Sequence, residues 1–323
     1  MKRKTARFLQ IAIPLGLGIF LTWYVYNRFT PEQLVEVEYY FADADYTMVI
    51  LAVALSILSH VIRAYRWNFL LEPLGFKPSL ANNFMAVSIA YLMNIFIPKS
   101  GEVSRAVVLQ KYEKVPFDKG FGTIISERVI DLLFLMGFTA LAFSLKFEEL
   151  QSYLDENGLI DKAILVLIIL AVASVTGFLV LKYIKGGFLG KLLDFLSGLK
   201  EGLLSILKMK KKWSFVIQSC VIWALYLLSF YVSTKALDIT ASISWSTLVV
   251  TFVVGSFTFA FTNSGFGTYP AVVAGILFLF GVPETVGTAF GWIVWTANIA
   301  SLVLFGLLSL LFLPIYNREK HQG

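Results

Sequence analysis

Residues 94–105 read NIFIPKSGEVSR and interrupt an apolar chain with a proline, a glycine and three charged residues. The segment before the interruption, Phe84–Ile97, is apolar, whereas Lys99, Glu102 and Arg105 follow within a few residues. Inside a membrane, backbone groups freed by a helix break must be satisfied by protein or cavity water, and a charge at that depth is costly. If the surrounding chain is membrane-embedded, this break is therefore a candidate functional site.

The composition is typical of an integral membrane protein. Of the 323 residues, 58% are hydrophobic and 15% are charged, whereas soluble domains are about half apolar and about a quarter charged. The net charge of +6 arises from basic residues whose positions fit membrane topology, so we expect no nucleic-acid binding. With one cysteine, Cys220, and no His/Cys cluster or phosphate-binding Gly-Lys-Ser/Thr loop, we expect no metal, no cofactor and no ATP motor.

Six apolar runs fit full membrane spans, each requiring about 20 residues. They are approximately Phe8–Tyr26 (expected to be uncleaved), Tyr46–Tyr65, Thr123–Leu145, Ala163–Leu181, Trp213–Lys235 and Val286–Leu313. The segment Phe84–Ile97 is too short, because as a helix it reaches about 21 Å against about 30 Å of hydrocarbon. We therefore predict a re-entrant hairpin, with its tip at Asn94, Pro98 and Gly101 and its return over Glu102–Tyr112.

A second short apolar pair, Thr247–Phe261 and Ala271–Phe280, surrounds another polar break. Its predicted tip residues are Asn263, Ser264, Gly265, Gly267 and Tyr269. Half-helix ends with free backbone groups are ready-made ligand sites. The alternative is a plain tight turn.

The distribution of basic residues predicts the topology. They concentrate in both terminal tails, around the first break and in Gly186–Lys212, whereas the loops after the first and third spans are acidic. The positive-inside rule then places both termini in the cytoplasm, and we expect the protein to lie in a bacterial inner membrane. Within Gly186–Lys212, apolar residues at helical spacing between lysines predict an amphipathic cytoplasmic linker at about 186–212.

The two halves share a pattern of full span, short segment, polar break, short return and full span. The first repeat covers about 46–145 and the second about 213–313 of a single transmembrane domain, 1–323. With both short pairs re-entrant, the fold is an all-α polytopic membrane protein of six full spans and two oppositely oriented hairpins in an inverted repeat. Such repeats place a substrate at their interface. If either short pair were two true spans, the count would rise to eight.

The candidate site combines an excess of cations with three carboxylates. Arginine suits phosphate because its planar fork bonds two oxygens. The expected phosphate-binding residues are Arg63, Arg66, Lys99, Arg105 and Arg128, and the residues that orient them or titrate are Glu102, Glu127 and Asp131. No catalytic residue is assigned.

Simpler explanations exist for several of these residues. Arg63 and Arg66 could extend to the interface as topology anchors. Glu127 and Asp131 could stabilise the N-terminus of the third span, and Glu102 could pair with Arg105 at i, i+3. A lone histidine in a span, such as His60, is more often a satisfied polar contact than a proton carrier.

Three motifs in order resemble the lysylphosphatidylglycerol synthase transmembrane-region family of flippase-like membrane proteins. They are the R-x-x-R-W end at 63–67, the N-x-x-x-P-x-x-x-E-x-x-R-A-like part of 94–106 and the E-R-x-x-D element at 127–131. The second break resembles the family's G-G-x-G-x-x-E element, with Ser264 and Pro270 as departures that remove a second-half carboxylate. The resemblance covers about residues 8–315.

The resemblance implies a membrane domain that moves or binds an anionic or aminoacylated lipid. In multidomain relatives this domain is joined to a soluble aminoacyl-transferase domain, which we do not expect here. The expected function is flippase-like transport of an anionic phospholipid or polyprenyl-phosphate-linked lipid between leaflets by alternating access.

Two alternatives remain open. One is a membrane-embedded enzyme that modifies lipid headgroups, for which only Glu102, Glu127, Asp131 and His60 are available as bases. The other is a lipid-binding accessory subunit of an envelope glycan pathway. A homo-oligomer or a partner from such a pathway is possible in either case.

Overall fold

A computed structural model describes residue 16 and residues 18–156, 209–262 and 264–318. Within these ranges the chain is helical, with turns and no strand. The predicted fourth span, most of the predicted amphipathic linker, about half of the predicted first span and Asn263 lie outside the described residues.

The described helices differ widely in length. Residues 18–28 are helical. The later helices are α1 (Pro31–Asp43), α2 (Tyr46–Leu71), α3 (Leu80–Phe96), α4 (Ser100–Glu113), α5 (Phe117–Leu145), α6 (Phe147–Glu156), α7 (Lys212–Thr234), α8 (Asp238–Ala241), α9 (Trp245–Phe261), α10 (Thr268–Leu279) and α11 (Glu284–Tyr316).

Within the described ranges, four helices are long and apolar enough to cross a membrane: α2, α5, α7 and α11. They correspond to four of the six predicted spans. The apolar helices α3, α9 and α10 are shorter. At 17 residues, α3 and α9 each reach about 25 Å, less than the hydrocarbon core of about 30 Å.

Two acidic stretches predicted as loops contain helices. Thr30 begins α1 with a capping box, in which its hydroxyl and the side chain of Gln33 bond each other's backbone N–H. The stretch after the third predicted span forms α6. Reasoning from hydropathy missed both helices because they are too polar to resemble spans; the Thr-x-x-Gln signature was the available signal for α1.

Two helices also begin earlier than predicted. α3 starts at Leu80, where Ser79 caps it, and not at Phe84. α5 starts at Phe117, directly after Pro116, and not at Thr123. The first turn of α5 contains Asp118 and Lys119, whose charge concealed the helix start.

The two halves repeat the same local structure. α2 to α5 and α7 to α11 both run long, short, short, long, apart from the single-turn α8. Ser79 and Ser244 begin α3 and α9 with the same hydroxyl cap. α4 and α10 both follow a residue at positive φ, Lys99 at 61° and Gly267 at 65°, and α5 and α11 both begin directly after a proline. We call α3–α4 hairpin 1 and α9–α10 hairpin 2.

The open end of hairpin 1, where α3 begins and α4 ends, lies near the ends of three other helices, and polar contacts join them. Ser79 Oγ donates to Glu113 Oε1 at 2.9 Å, which joins the start of α3 to the end of α4. Lys211 pairs with Glu72 at 2.9 Å, which joins the start of α7 to the end of α2. Asn317, after α11, also belongs here, because it bonds Asn82 in the first turn of α3.

The open end of hairpin 2 lies with the opposite helix ends. The N–H of Asp45, before α2, donates to the Ala236 carbonyl, after α7, at 2.9 Å. Lys146, after α5, lies over the ring of Phe280, after α10, at 5.0 Å. The rings of Tyr231 and Trp245, from the end of α7 and the start of α9, are 6.4 Å apart. The hairpins therefore open at opposite ends of the helix bundle.

Candidate functional site

Three helices of the first half bring five charged side chains together inside the protein. Arg63 and Arg66 lie at i, i+3 on α2, Arg105 lies on α4, and Glu127 and Asp131 lie at i, i+4 on α5. Their residues are at most 9% exposed, and Arg66 and Glu127 are fully buried. The spacing on each helix places its charges on one face, so the three faces converge.

Glu127 is the centre of this network. Its two oxygens accept a bidentate pair of bonds from Arg105, at 3.1 and 3.0 Å. Nη1 of Arg63 donates to the same carboxylate at 2.5 Å, and Nη2 of Arg66 lies 3.5 Å from it. One carboxylate therefore holds three arginines.

Asp131 joins the two arginines of α2. Its Oδ2 accepts from Arg63 Nη1 at 2.6 Å and its Oδ1 accepts from Arg66 Nη2 at 3.1 Å. The five buried groups carry three positive charges and two negative charges, so the network has a net charge of +1.

A neighbouring pair at the edge does not change this balance. Arg128 lies 3.4 Å from Glu102 and 3.7 Å from Asp131, and its side chain is 39% exposed. Glu102 thus pairs with Arg128, and the predicted i, i+3 pair with Arg105 does not form. Adding one positive and one negative group leaves the net charge at +1.

Neutral hydroxyls from the second half also bond Arg63 and Arg66. Tyr226 Oη accepts from Arg63 Nη2 at 3.0 Å and from Nε at 3.3 Å. Ser219 Oγ accepts from Arg66 Nη1 at 2.6 Å. Both hydroxyls belong to α7, so the network connects the two halves.

The guanidinium of Arg105 packs on an aromatic ring and not against α7. Its guanidinium lies 3.7 Å above the ring of Trp67, and the Trp67 indole donates to Thr123 Oγ1 at 2.9 Å. Sequence reasoning did not select Trp67, Ser219 or Tyr226. Trp67 belongs to the quoted R-x-x-R-W motif, whereas the two hydroxyl residues carry no local signal.

The tip of hairpin 1 is a compact turn. The Gly101 N–H donates to Asn94 Oδ1 at 2.7 Å, and a Cβ at Gly101 would lie 2.6 Å from the Asn94 amide nitrogen. Pro98 precedes Lys99, which adopts a left-handed backbone conformation. Lys99 Nζ donates to the Ala260 carbonyl near the end of α9, at 3.1 Å. The two hairpins therefore touch near their tips.

The tip of hairpin 2 contains only neutral groups among its described residues. Ser264, Gly265 and Gly267 all have positive φ. The Ser264 carbonyl accepts from the Trp295 indole at 2.8 Å, and buried Tyr269 packs on Phe259 with ring centroids 4.9 Å apart. Pro270, where a glutamate was expected from the resemblance, is buried against Gly291.

The other candidate residue, His60, lies beside this network. Its ring is 4.6 Å from that of Tyr91, and its Nδ1 has no hydrogen-bond partner. Among the described residues, no group of three or more His, Cys, Asp or Glu side chains is arranged to hold a metal ion.

The geometry excludes two of the simpler explanations for the charged residues. Arg63 and Arg66 do not extend to an interface, because both are buried and bonded to carboxylates. Glu127 lies ten residues after the start of α5 at Phe117, so stabilisation of the helix N-terminus does not account for it. Pairing with buried arginines does.

Comparisons with known proteins find relatives over most of the chain. A UPF0104 membrane protein of Methanocaldococcus jannaschii is 26% identical over 296 residues, which are 85% of this chain and 87% of that protein. A UPF0104 membrane protein of Pyrococcus horikoshii is 26% identical over 141 residues, covering 42% of this chain and 40% of that protein.

Glycosyltransferase AglD of Haloferax volcanii is 29% identical over 108 residues, covering 33% of this chain and 17% of that protein. No solved structure matches.

The apolar helices and the buried charge network define a multi-pass helical membrane protein with a polar site inside it. The family model for the lysylphosphatidylglycerol synthase TM region matches residues 11–306. The chain therefore belongs to this family, and the resemblance found in its motifs is confirmed.

Proposed function

We propose that this protein moves a lipid with an anionic, phosphate-bearing headgroup between the leaflets of a membrane by alternating access. The observation that carries the proposal is the net charge of +1 among buried side chains. Buried charges are normally paired, so an anionic headgroup would supply the missing negative charge. Arg63, Arg66 and Arg105 form the buried group of cations, with Arg128 at its edge, and Lys99 lies at the tip of hairpin 1.

The arrangement of the hairpins supports alternating access. Their open ends lie at opposite ends of the bundle, and Lys99 joins hairpin 1 to α9 of hairpin 2. In inverted repeats, substrate sites lie between the repeats near the midplane, and here Tyr226 of the second half bonds Arg63 of the first. The proposal includes six full spans with both hairpins re-entrant, one from each side.

The charges at the two ends support one orientation. The end at the opening of hairpin 1 contains Lys77, Lys114, Lys211 and Arg318, whereas at the opposite end the basic residues Arg28, Lys146 and Lys235 lie among Asp45, Glu148, Asp238 and Glu284. By the positive-inside rule, the first end faces the cytoplasm. We extend the proposal to both termini in the cytoplasm and to the bacterial inner membrane.

Leaflet exchange in liposomes tests this function. We expect reconstituted protein to accelerate exchange of a headgroup-labelled anionic phospholipid, but not of a neutral diacylglycerol. Arg63→Gln should slow exchange at least about tenfold, because bonds from a charged donor contribute about 1.5–3 kcal/mol. The matched control is Arg28→Gln, which removes a 55% exposed arginine and should exchange as wild type does.

Two results would contradict the proposal. One is exchange by the wild type no faster than in protein-free liposomes. The other is equal acceleration of the neutral lipid.

A second candidate function is an accessory subunit that binds a polyprenyl-phosphate-linked lipid for glycan assembly. The similarity of one third of the chain to glycosyltransferase AglD favours it. The same liposomes separate the candidates, because an accessory subunit would retain the lipid without exchanging it. An enzyme would return a chemically altered headgroup, but Glu127 and Asp131 are poorly suited as bases because arginines already bond their oxygens.

A further inference from the structure

We infer that Arg63 and Arg66 on α2 and Ser219 and Tyr226 on α7 form the two walls of one oxyanion site, in which a phosphate replaces the two hydroxyls as the partner of the arginines. The inference rests on the proposed function for the identity of the ligand. It adds the position of the headgroup and the residues of the second half that contact it.

The edge of Arg63 that faces α7 is suited to an oxyanion. Arg63 uses Nη1 for both carboxylates and presents Nε and Nη2 to a single neutral oxygen, Tyr226 Oη. Two parallel N–H groups are the fork that binds phosphate in a bidentate manner. One hydroxyl oxygen therefore occupies a position that two phosphate oxygens would fill better.

Arg66 has an unused donor. Its Nη1 donates to Ser219, its Nη2 donates to Asp131, and its buried Nε has no hydrogen-bond partner. A buried N–H without a partner is costly, and each such group requires an explanation. Because the residue is fully buried, a ligand that enters the network would be needed to satisfy this donor.

The two arginines are close enough to share one phosphate. The two oxygens of the single Asp131 carboxylate bond both of them, at 2.6 and 3.1 Å. Arg105 differs, because both of its Nη atoms are used on Glu127. The buried Nε of Arg105 also has no hydrogen-bond partner, but Arg63 and Arg66 direct donors to neutral hydroxyls on α7, so the pair on α2 is more available to a ligand.

The opposite wall is one face of α7. Ser219, Trp223 and Tyr226 lie at i, i+4 and i+7, and the buried indole nitrogen of Trp223 has no hydrogen-bond partner. Hydroxyl groups both donate and accept, so Ser219 and Tyr226 can turn from accepting from arginine to donating to phosphate. The arginine donors are ionised in both arrangements, but only the phosphate brings a negative charge that balances the net charge of +1 in the network, which favours this exchange.

A fixed negative charge in the site tests the inference. In Ser219→Asp, the new carboxylate should pair with Arg66 and take the place of the ligand. We expect binding of dioleoyl phosphatidate to the purified full chain, titrated by native mass spectrometry, to weaken at least about 100-fold. Ser219→Asn has a similar shape without the charge and should weaken binding much less. Ser242→Asp, at an exposed serine after α8, is the matched control and should bind as wild type does.

The outcomes separate this inference from the proposed function. If the wild type binds phosphatidate no better than diacylglycerol, the proposed function fails and the site with it. If the wild type binds phosphatidate and Ser219→Asp binds it equally well, only the site is wrong. If Ser219→Asp does not fold, Arg63→Lys and Arg105→Lys are compared instead. Arg63→Lys removes the two-pronged guanidinium from the site, so it should bind phosphatidate at least about tenfold more weakly than Arg105→Lys does. Equal losses of binding in the two variants would overturn the inference.

Discussion

At the scale of single residues, Glu127 determines the stability of the charge network. It is fully buried, and three arginines lie within 2.5 to 3.5 Å of its oxygens. Removing one partner of a buried ion pair leaves an uncompensated charge, which costs far more than the pair itself contributes. Without Glu127, three buried cations would have only Asp131 to balance them.

We therefore predict that Glu127→Gln destabilises the protein by about 3–5 kcal/mol. Because the amide has nearly the same shape as the carboxylate, the loss of stability measures the contribution of the negative charge. Unfolding of the purified protein by titration with a denaturing detergent measures the free energy.

Glu149→Gln is the control for this prediction. Glu149 pairs with Lys146 on the surface, with half of its side chain exposed. Pairs of this kind contribute little, so we expect its unfolding curve to overlay that of the wild type. A Glu127→Gln curve that also overlays the wild type would show that the network tolerates a second uncompensated cation.

The sequence identified the charged members of this network and missed the neutral ones. Arg63, Arg66, Arg105, Glu127 and Asp131 are conspicuous because charges are rare and costly in apolar segments. Ser219 and Tyr226 are unremarkable in a span, and more than 150 residues separate each from its arginine. Only the packing of α7 on α2 reveals them.

At the scale of helices, errors in helix bounds changed the explanation of the site. Starting α5 at Thr123 placed Glu127 and Asp131 in its first turns, where the helix dipole would account for them. The helix begins at Phe117, so both lie well inside it. The polar first turn after Pro116 concealed the start, whereas the long apolar interior of the helix was predicted correctly.

Hairpin 1 gives the clearest prediction at this scale. Ser79 bonds Glu113 across its open end, so the flanking residues Lys77 and Lys114 should be accessible from the same side of the membrane. In a Cys220→Ser background, needed because Cys220 is exposed, Lys77→Cys and Lys114→Cys should both react with a membrane-impermeant maleimide added from the cytoplasmic side.

Ser242→Cys provides the opposite control for this labelling. It precedes hairpin 2, which opens at the other end of the bundle, so it should react only from outside. If Lys77→Cys and Lys114→Cys react from different sides, hairpin 1 crosses the membrane and is not re-entrant.

At the scale of the whole molecule, the repeat was visible in the sequence but its internal contacts were not. Hydropathy gave the order of long and short segments in both halves, because span length is set by the membrane. It could not show that Lys99 reaches Ala260 or that Asn82 reaches Asn317, because these contacts depend on tertiary packing. The tips also differ as predicted from their residue types: the first is charged, and the described part of the second is neutral.

The Asn82–Asn317 pair offers a test of how the halves are joined. Each amide donates to the other's oxygen at 2.8 Å, and both residues are buried. We predict a coupling energy of about 1–3 kcal/mol in a double-mutant cycle of Asn82→Ala and Asn317→Ala, because each single change removes both bonds and leaves the buried Oδ1 of the other amide without its donor.

A distant asparagine serves as the control for this cycle. Asn298 bonds the Val294 carbonyl of its own helix. Asn298→Ala should therefore add to Asn317→Ala within about 0.5 kcal/mol. Equal coupling in both cycles would mean that the amide pair does not join the halves.

The Asn82–Asn317 pair also has a mechanical consequence. Together with Glu113, it fixes hairpin 1 at its open end, so the hairpin resembles a lever with its fulcrum at Asn82 and its free end at the tip. The 17 residues of α3 give this lever an arm of about 25 Å, so a rotation of about 10° would displace the tip by about 4 Å. Lys99 and the Ala260 carbonyl form a hydrogen bond of 3.1 Å, and a displacement of this size would break it. A small tilt at one end of the molecule would thus be enough to separate the two tips in its middle.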